Sequence, residues 1–104
     1  MLDVVRTASY TVHMIRSFAD KDTAKLFRRQ RVRRFQAFER TALRRLVLLD
    51  AAGALSDLRG PGLSLEALKR ARQGQHSIRI NDQWRVCFRW KGGEAYEVEV
   101  ADYH

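Results

Sequence analysis

The sequence predicts an α+β domain in which two N-terminal helices pack on one face of an antiparallel sheet. Three observations carry this. Phe35, Phe38, Ala42, Leu46 and Leu49 recur at three-four spacing, widened by Leu43 and Val47, as the apolar face of a helix does. Trp84, Val86, Phe88 and Trp90 alternate with Arg85, Cys87 and Arg89, which is the period of a half-buried strand. Turn signals, Asn81-Asp82-Gln83 before that strand and Lys91-Gly92-Gly93 after it, make its neighbours antiparallel hairpin partners.

The elements follow in chain order. Residues 1–13 show no amphipathic period and are expected to be an N-terminal extension, either a disordered or non-native arm or an extra strand, with the domain proper over residues 14–104. Met14-Ile15-Arg16-Ser17-Phe18 reads as a first strand. Asp20 or Asp22 caps a helix by accepting from a free N–H of the first turn, and that helix runs through Ala24, Leu26 and Phe27 to about Gln30. The second helix carries Arg33, Gln36, Arg40 and Arg44 on its outer face, and Gly53 is placed to end it in a left-handed turn. Gly60-Pro61-Gly62 marks a loop. Beyond it Ile78 and Ile80 alternate with Ser77 and Arg79. In the last strand Tyr96, Val98 and Val100 face one way and Glu97 and Glu99 the other. The sheet face away from the helices is expected to be polar and basic, and Asp102-Tyr103-His104 extends one of its strands. Trp84 and Trp90 share a face with Val86 and Phe88 and read as core.

Composition narrows the partners. The chain has 104 residues, a formal net charge of +8 and a pI of about 10.6, a balance that favours polyanions: nucleic acid, an anionic membrane or an acidic protein. Arginine outnumbers lysine, and its planar fork suits phosphate oxygens. The cluster Lys25, Arg28, Arg29, Arg31, Arg33 and Arg34 reads most simply as a solvated helix end and linker; as a functional feature it would grip nucleic-acid phosphates and bind with a steep salt dependence. One cysteine, Cys87, precludes an internal disulfide. His13 and His76 do not meet it at a metal-ligand spacing, so no zinc site is expected. No apolar run is long enough for a bilayer, no signal peptide is evident, and the cytoplasm is the expected compartment.

The run Gln75-His76-Ser77-Ile78-Arg79-Ile80-Asn81-Asp82-Gln83-Trp84-Arg85-Val86-Cys87-Phe88-Arg89-Trp90, with Tyr96 through Asp102-Tyr103-His104, resembles the HigB-type toxins of the RelE superfamily. Met14-Ile15-Arg16-Ser17-Phe18 and Leu65-Glu66-Ala67-Leu68-Lys69 fit the same pattern, so the resemblance covers about Met14 to His104. It implies a compact RelE-like fold, with two helices on one side of a curved antiparallel sheet. It implies a ribosome-dependent, metal-independent endoribonuclease without a cofactor, acting on mRNA. It also implies a HigA-type helix-turn-helix antitoxin, a heterotetramer with an antitoxin dimer, and contact with operator DNA only through that antitoxin.

Metal-free RNA cleavage needs one proton removed from the 2′-hydroxyl, one supplied to the leaving 5′-oxygen, and the phosphoryl charge stabilised. The resemblance assigns Arg85 to phosphoryl stabilisation; by itself it reads as a solvated strand charge. Lys69 resembles a second family cation, and by itself is a surface lysine. His104 is the acid–base candidate because imidazole titrates near neutrality; its plain reading is a frayed terminal residue. Asp102 orients His104 or acts as a base, against a plain reading as a surface carboxylate. Tyr103 stacks on a base or donates to phosphate, or simply packs the terminus. Arg72, Arg79, Arg89 and Glu66 complete the expected substrate contacts. Two departures stand out: Glu66 occupies a position where many relatives have histidine, and Arg70-Ala71-Arg72 replaces Gly-Asp-Arg. Glu66 is a candidate proton acceptor, although its charge opposes that of phosphate. The alternative function is a non-catalytic RNA- or ribosome-binding protein on the same fold.

Overall fold

Val86, Phe88, Val98 and Val100 from two strands meet Phe35, Leu46 and Leu49 from helical segments in a single buried cluster, and the rest of the chain is arranged around it. A computed structural model describes residues 13–103. In chain order they form helix α1 (Lys21–Phe27), a 3₁₀ turn (Arg33–Phe38) that runs into helix α2 (Glu39–Ala51), a second 3₁₀ turn (Leu55–Leu58), strand β1 (Glu66–Ala67), a third 3₁₀ turn (Arg70–Arg72), and strands β2 (Gln75–Arg79), β3 (Trp84–Lys91) and β4 (Glu94–Asp102). The strands are antiparallel and lie in the order β1-β2-β3-β4. The result is an α+β fold consistent with the RelE-like expectation. The short strand β1 was not foreseen.

Asp20 is the N-cap of α1, accepting from Thr23 N at 3.1 Å and from Thr23 Oγ1 at 2.6 Å. The same Thr23 hydroxyl oxygen accepts from Val100 N at 2.9 Å, so the first turn of the helix is tied to the middle of β4. The helix stops at Phe27, short of the expected Gln30. Arg29 turns left-handed at φ 63°, and Gln30 N donates back to Lys25 O at 2.9 Å, closing the last turn. Phe35 is fully buried but lies in the 3₁₀ turn ahead of α2, and Val47, expected to widen the stripe, is 42% exposed; the apolar stripe of α2 is otherwise as anticipated, with Ala42, Leu46 and Leu49 fully buried. Its end is not. The chain leaves the helix at Ala52, which is extended, and Gly53 takes no left-handed turn; its N–H donates to Asp57 Oδ2 at 2.9 Å instead.

The expected first strand, residues 14–18, makes only two isolated parallel bridges, Ile15 to Ala95 and Phe18 to Val98. The cause lies in β4. Between the pairs Cys87–Glu99 and Arg89–Tyr96 the register shifts, so two β4 residues, Glu97 and Val98, oppose Phe88 alone. Glu97 sits left-handed at φ 52°, and its N–H donates to Ser17 Oγ at 2.9 Å. A bulged edge breaks the regular ladder that a full neighbouring strand needs. The bulge also reverses parity: Ala95 and Val98 are both buried in the core, whereas Tyr96, expected beside Val98 and Val100, pairs with Arg89 on the other face.

Gly92 and Gly93, at φ 57° and 81°, join β3 to β4, a turn that requires the left-handed region at both central residues. Asp50, nearly buried at the end of α2, accepts from Ile15 N at 3.0 Å, and its Oδ2 lies 2.7 Å from His13 Nδ1. The expected extension over residues 1–13 lies, apart from His13, outside the described residues.

Candidate functional site

Strand pairing decides which side chains share the sheet face that carries Arg85. Arg79, Arg85 and Ala101 form one row; Glu66, Ser77, Cys87 and Glu99 form the next; Arg89 and Tyr96 lie further along β3 and β4. Arg85 is the most constrained of these. Its Nε donates to Ser77 Oγ at 2.6 Å, its Nη2 donates to the Ser64 carbonyl, and the same Nη2 lies 3.3 Å from Glu66 Oε1. Its side chain is 11% exposed, whereas that of Glu66 is 52% exposed. Ser64 is left-handed at φ 45°, a conformation that aims its carbonyl at the guanidinium.

Arg72 is held in the same way, with Nη1 donating to Gln75 Oε1 and to Glu99 Oε1, both at 3.1 Å. Burial works against its charge, but the Glu99 hydrogen bond and charge outweigh burial and raise its pKa. Arg89 pairs with Glu97 at 3.2 Å, and Arg79 pairs with Asp82. The face expected to be basic is therefore largely self-compensated. It is not wholly polar either: Leu68, Cys87 and Ala101 form a small buried cluster with Tyr103 packed on it. Burial pushes the Cys87 thiol up to about 11, so it is a neutral packing group at neutral pH.

Asp102 and Tyr103 are both tied to Gln83. Gln83 Nε2 donates to Asp102 Oδ2 at 3.0 Å, and Tyr103 N donates to Gln83 O at 2.8 Å. Tyr103 is half-buried and within electrostatic reach of Arg72; Asp102 is exposed. Lys69 is exposed at the start of the third 3₁₀ turn, with no side-chain partner among the described residues. His104 lies outside the described residues. The structure thus brings Arg85 and Glu66 together directly and places Tyr103 over the neighbouring row. It keeps Arg79 at the β2–β3 turn, and Arg89 four residues along β3 from Arg85, about 13 Å by strand rise. Sequence reasoning missed Ser64, Ser77, Gln75 and Gln83. Only Ser77 had a signal, its alternation with Ile78; the others depend on loop conformation or register. Among the described residues no three His, Cys, Asp or Glu side chains gather as a metal-binding group, and no helix is long and apolar enough to cross a membrane.

Residues 16–104 match the family model described as the RelE-like toxin of type II toxin–antitoxin system HigB. The chain belongs to the HigB-like toxin family. It is similar to Toxin HigB-1 of Vibrio cholerae serotype O1, 45% identical over 60 residues that make up 57% of this chain and 63% of that protein. It is also similar to Endoribonuclease HigB of Proteus vulgaris, 35% identical over 60 residues, 58% of this chain and 65% of the relative. The match thus spans slightly less than two thirds of either relative. As in the sequence-based expectation, this HigB-like chain keeps Arg85 on the sheet face and Asp102-Tyr103 at its last strand.

Proposed function

We propose that the protein is the toxin of a type II toxin–antitoxin pair and an endoribonuclease that cuts mRNA on the ribosome without a metal ion or cofactor. Family membership supports the toxin role, and the name of the Proteus relative supports the nuclease role. The observation that carries the chemistry is the Arg85 guanidinium, fixed on the sheet face by Ser77 and the Ser64 carbonyl. A cation already oriented before the substrate arrives stabilises developing phosphoryl charge without reorganisation.

In this reading the substrate 2′-oxygen attacks the adjacent phosphorus and the 5′-oxygen leaves, giving a 2′,3′-cyclic phosphate and a 5′-hydroxyl. One proton leaves the 2′-hydroxyl and one reaches the 5′-oxygen. His104 is the acid–base group, oriented by Asp102, and Glu66 is a second proton acceptor. Arg85 and Lys69 stabilise the phosphoryl oxygens, Tyr103 stacks on a base or donates to phosphate, and Arg72, Arg79 and Arg89 contact flanking phosphates. The reading takes α1 and α2 to cover the sheet face opposite Arg85, supported by the core shared by Leu46, Leu49, Val86 and Val98. It takes residues 14–104 as the toxin domain in the cytoplasm, a HigA-type helix-turn-helix antitoxin as inhibitor, a heterotetramer around an antitoxin dimer, and operator contact through the antitoxin alone.

The test is to incubate the protein with translating ribosomes and map mRNA ends. New 5′-hydroxyl ends are expected with wild type and not with Arg85→Ala or His104→Ala. Intact mRNA with wild type overturns the reading. One observation favours a second reading, a non-catalytic ribosome or RNA binder: the Glu66 carboxylate stands beside Arg85, where a phosphate would sit. That reading expects ribosome binding without cleavage, and growth arrest indifferent to Arg85→Ala.

A further inference from the structure

We propose that Tyr96 and Arg89 form a subsite for a nucleotide flanking the cleavage point: an unpaired base stacks on the Tyr96 ring, and the adjoining phosphate meets the Arg89 guanidinium. The inference deepens the nuclease reading and rests on it in one respect, that the Arg85 face holds a single strand of RNA.

The bulge in β4 is where the subsite begins. A regular strand would keep Tyr96 on the core side with Val98 and Val100. The register shift between Cys87 and Arg89 turns it onto the face that carries Arg85, directly across from Arg89. Bulges re-aim single side chains in this way and are over-represented beside active sites. The chain thereby forgoes burying a large ring and leaves it half-exposed. Other sheet aromatics are used differently. Phe88, Trp84 and Trp90 lie in or against the main core, and Tyr103 packs on Leu68, Cys87 and Ala101. Among the described residues Tyr96 belongs to neither buried cluster.

Both groups are oriented before a ligand arrives. Tyr96 Oη donates to Glu94 Oε1 at 3.0 Å, and Glu94 lies 3.9 Å from Arg16. The Glu94 hydrogen bond raises the phenol pKa, so the ring is neutral at neutral pH. Arg89 donates from Nε to Glu97 Oε1 at 3.2 Å. Its two terminal nitrogens have no hydrogen-bond partner among the described residues. They are the pair that takes two phosphate oxygens at once. Nη1 also fills the space beside Gly74, where an added Cβ would lie 2.7 Å from it. Lys91, two residues further along β3, is exposed on the same face.

Arg89 stands about 13 Å along β3 from Arg85 by strand rise. That is several times the rise of about 3.4 Å per nucleotide in one strand of a duplex, so the ring meets a different nucleotide from the one cut. A ring flanked by two cations suits a nucleotide, which brings a base and a phosphate together. Stacking accepts every base, because each has a π-face. The subsite therefore adds affinity and fixes how the strand lies across the sheet, without selecting the sequence cut.

The test uses the full chain and a single-stranded 2′-O-methyl RNA, which cannot be cut through its 2′-oxygen, so binding is read apart from cleavage. Tyr96→Leu should weaken binding about five- to a hundredfold, the worth of one stacked base. It should leave the slope of log affinity against log salt unchanged, whereas Arg89→Ala should lower that slope by about 1. Tyr96→Phe, which restores the ring alone, should regain most of the affinity. In the wild-type protein, 5-iodouridine placed along the same RNA should photocrosslink to Tyr96, a readout that needs no variant to fold. The inference is overturned if Tyr96→Leu, with an unchanged melting profile, binds the RNA as wild type does. It is equally overturned if Tyr96→Phe binds no better than Tyr96→Leu, or if no iodouridine position crosslinks to Tyr96. A protein that shows the stacking signatures but cuts no mRNA on ribosomes keeps the subsite and loses the nuclease reading. One that cuts mRNA without those signatures loses the subsite alone.

Discussion

Glu66 Oε1 stands 3.3 Å from the Arg85 guanidinium, the one carboxylate that pairs with it among the described residues. Arg85 is pinned by Ser77 and Ser64 and is nearly buried, while Glu66 is half-exposed, so the carboxylate is the partner free to move. If Arg85 holds the scissile phosphate as proposed, phosphate binding competes with this internal anion. With its Glu66 end in solvent the pair is screened much as a surface pair is, worth about 0.2–1 kcal/mol, so Glu66→Gln should tighten binding of uncleavable single-stranded RNA by up to about fivefold. The gain should vanish in an Arg85→Ala background. Unchanged affinity in Glu66→Gln would show that the carboxylate does not compete.

Arg85 should be costly to lose for cleavage. Removing one preorganised donor to a developing oxyanion lowers turnover by about a hundred- to a thousandfold. Arg85→Ala should fall in that range and Ser77→Ala should lose less, because Ser77 only orients the guanidinium. Single-turnover cleavage on programmed ribosomes separates the two; equal losses would make Ser77 a direct participant.

His104 and Asp102 should separate by pH. A positioned general acid or base contributes about a hundred- to ten-thousandfold, so His104→Ala should lose at least a hundredfold in cleavage rate. Asp102→Asn should lose less and shift the pH–rate profile if, as proposed, Asp102 acts through the imidazole. A His104→Ala protein with wild-type rates would remove the chain end from the chemistry.

The Cys87 thiol supplies an alkaline signature. Burial raises its pKa from 9.0 to about 11, so the unfolded chain loses this proton first as pH rises. Its contribution is fully present below about pH 9 and is lost progressively toward pH 11. Urea unfolding across that window should show falling stability, and Cys87→Ala should flatten the fall. The native thiol should also resist alkylation at pH 8 and react once the chain unfolds.

Thr23 joins the helix to the sheet through one hydroxyl. Thr23→Val removes the acceptor for Val100 N and leaves a buried backbone donor unsatisfied, which costs about 1–3 kcal/mol. The urea midpoint should fall accordingly. A change below about 0.5 kcal/mol would mean that water replaces the hydroxyl.

Much of this fold was legible because its signals are local. The stripe from Phe35 to Leu49 and the alternation from Trp84 to Trp90 need only the backbone period of the element they lie in. The departures trace to residues whose conformation gives no compositional cue. Arg29, Ser64 and Glu97 are left-handed without being glycine, and each redirects the chain: one shortens α1, one aims a carbonyl at Arg85, one bulges β4 and turns Tyr96 to the other face. Gly53, which did carry the cue, is not left-handed, because Asp57 satisfies its N–H.

The amino-acid sequence by itself determined the α+β class, the apolar faces, the placement of Arg85 away from the core, the family resemblance, and the concentration of net charge between Lys21 and Arg45. All of these follow from periodicity and composition over short stretches. The tertiary structure decided which carboxylate meets each arginine, Glu66 for Arg85 and Glu99 for Arg72, and so which cations remain unpaired. Those pairings join residues 19 and 27 positions apart, and they depend on strand register and a bulge set by the packing of the whole sheet.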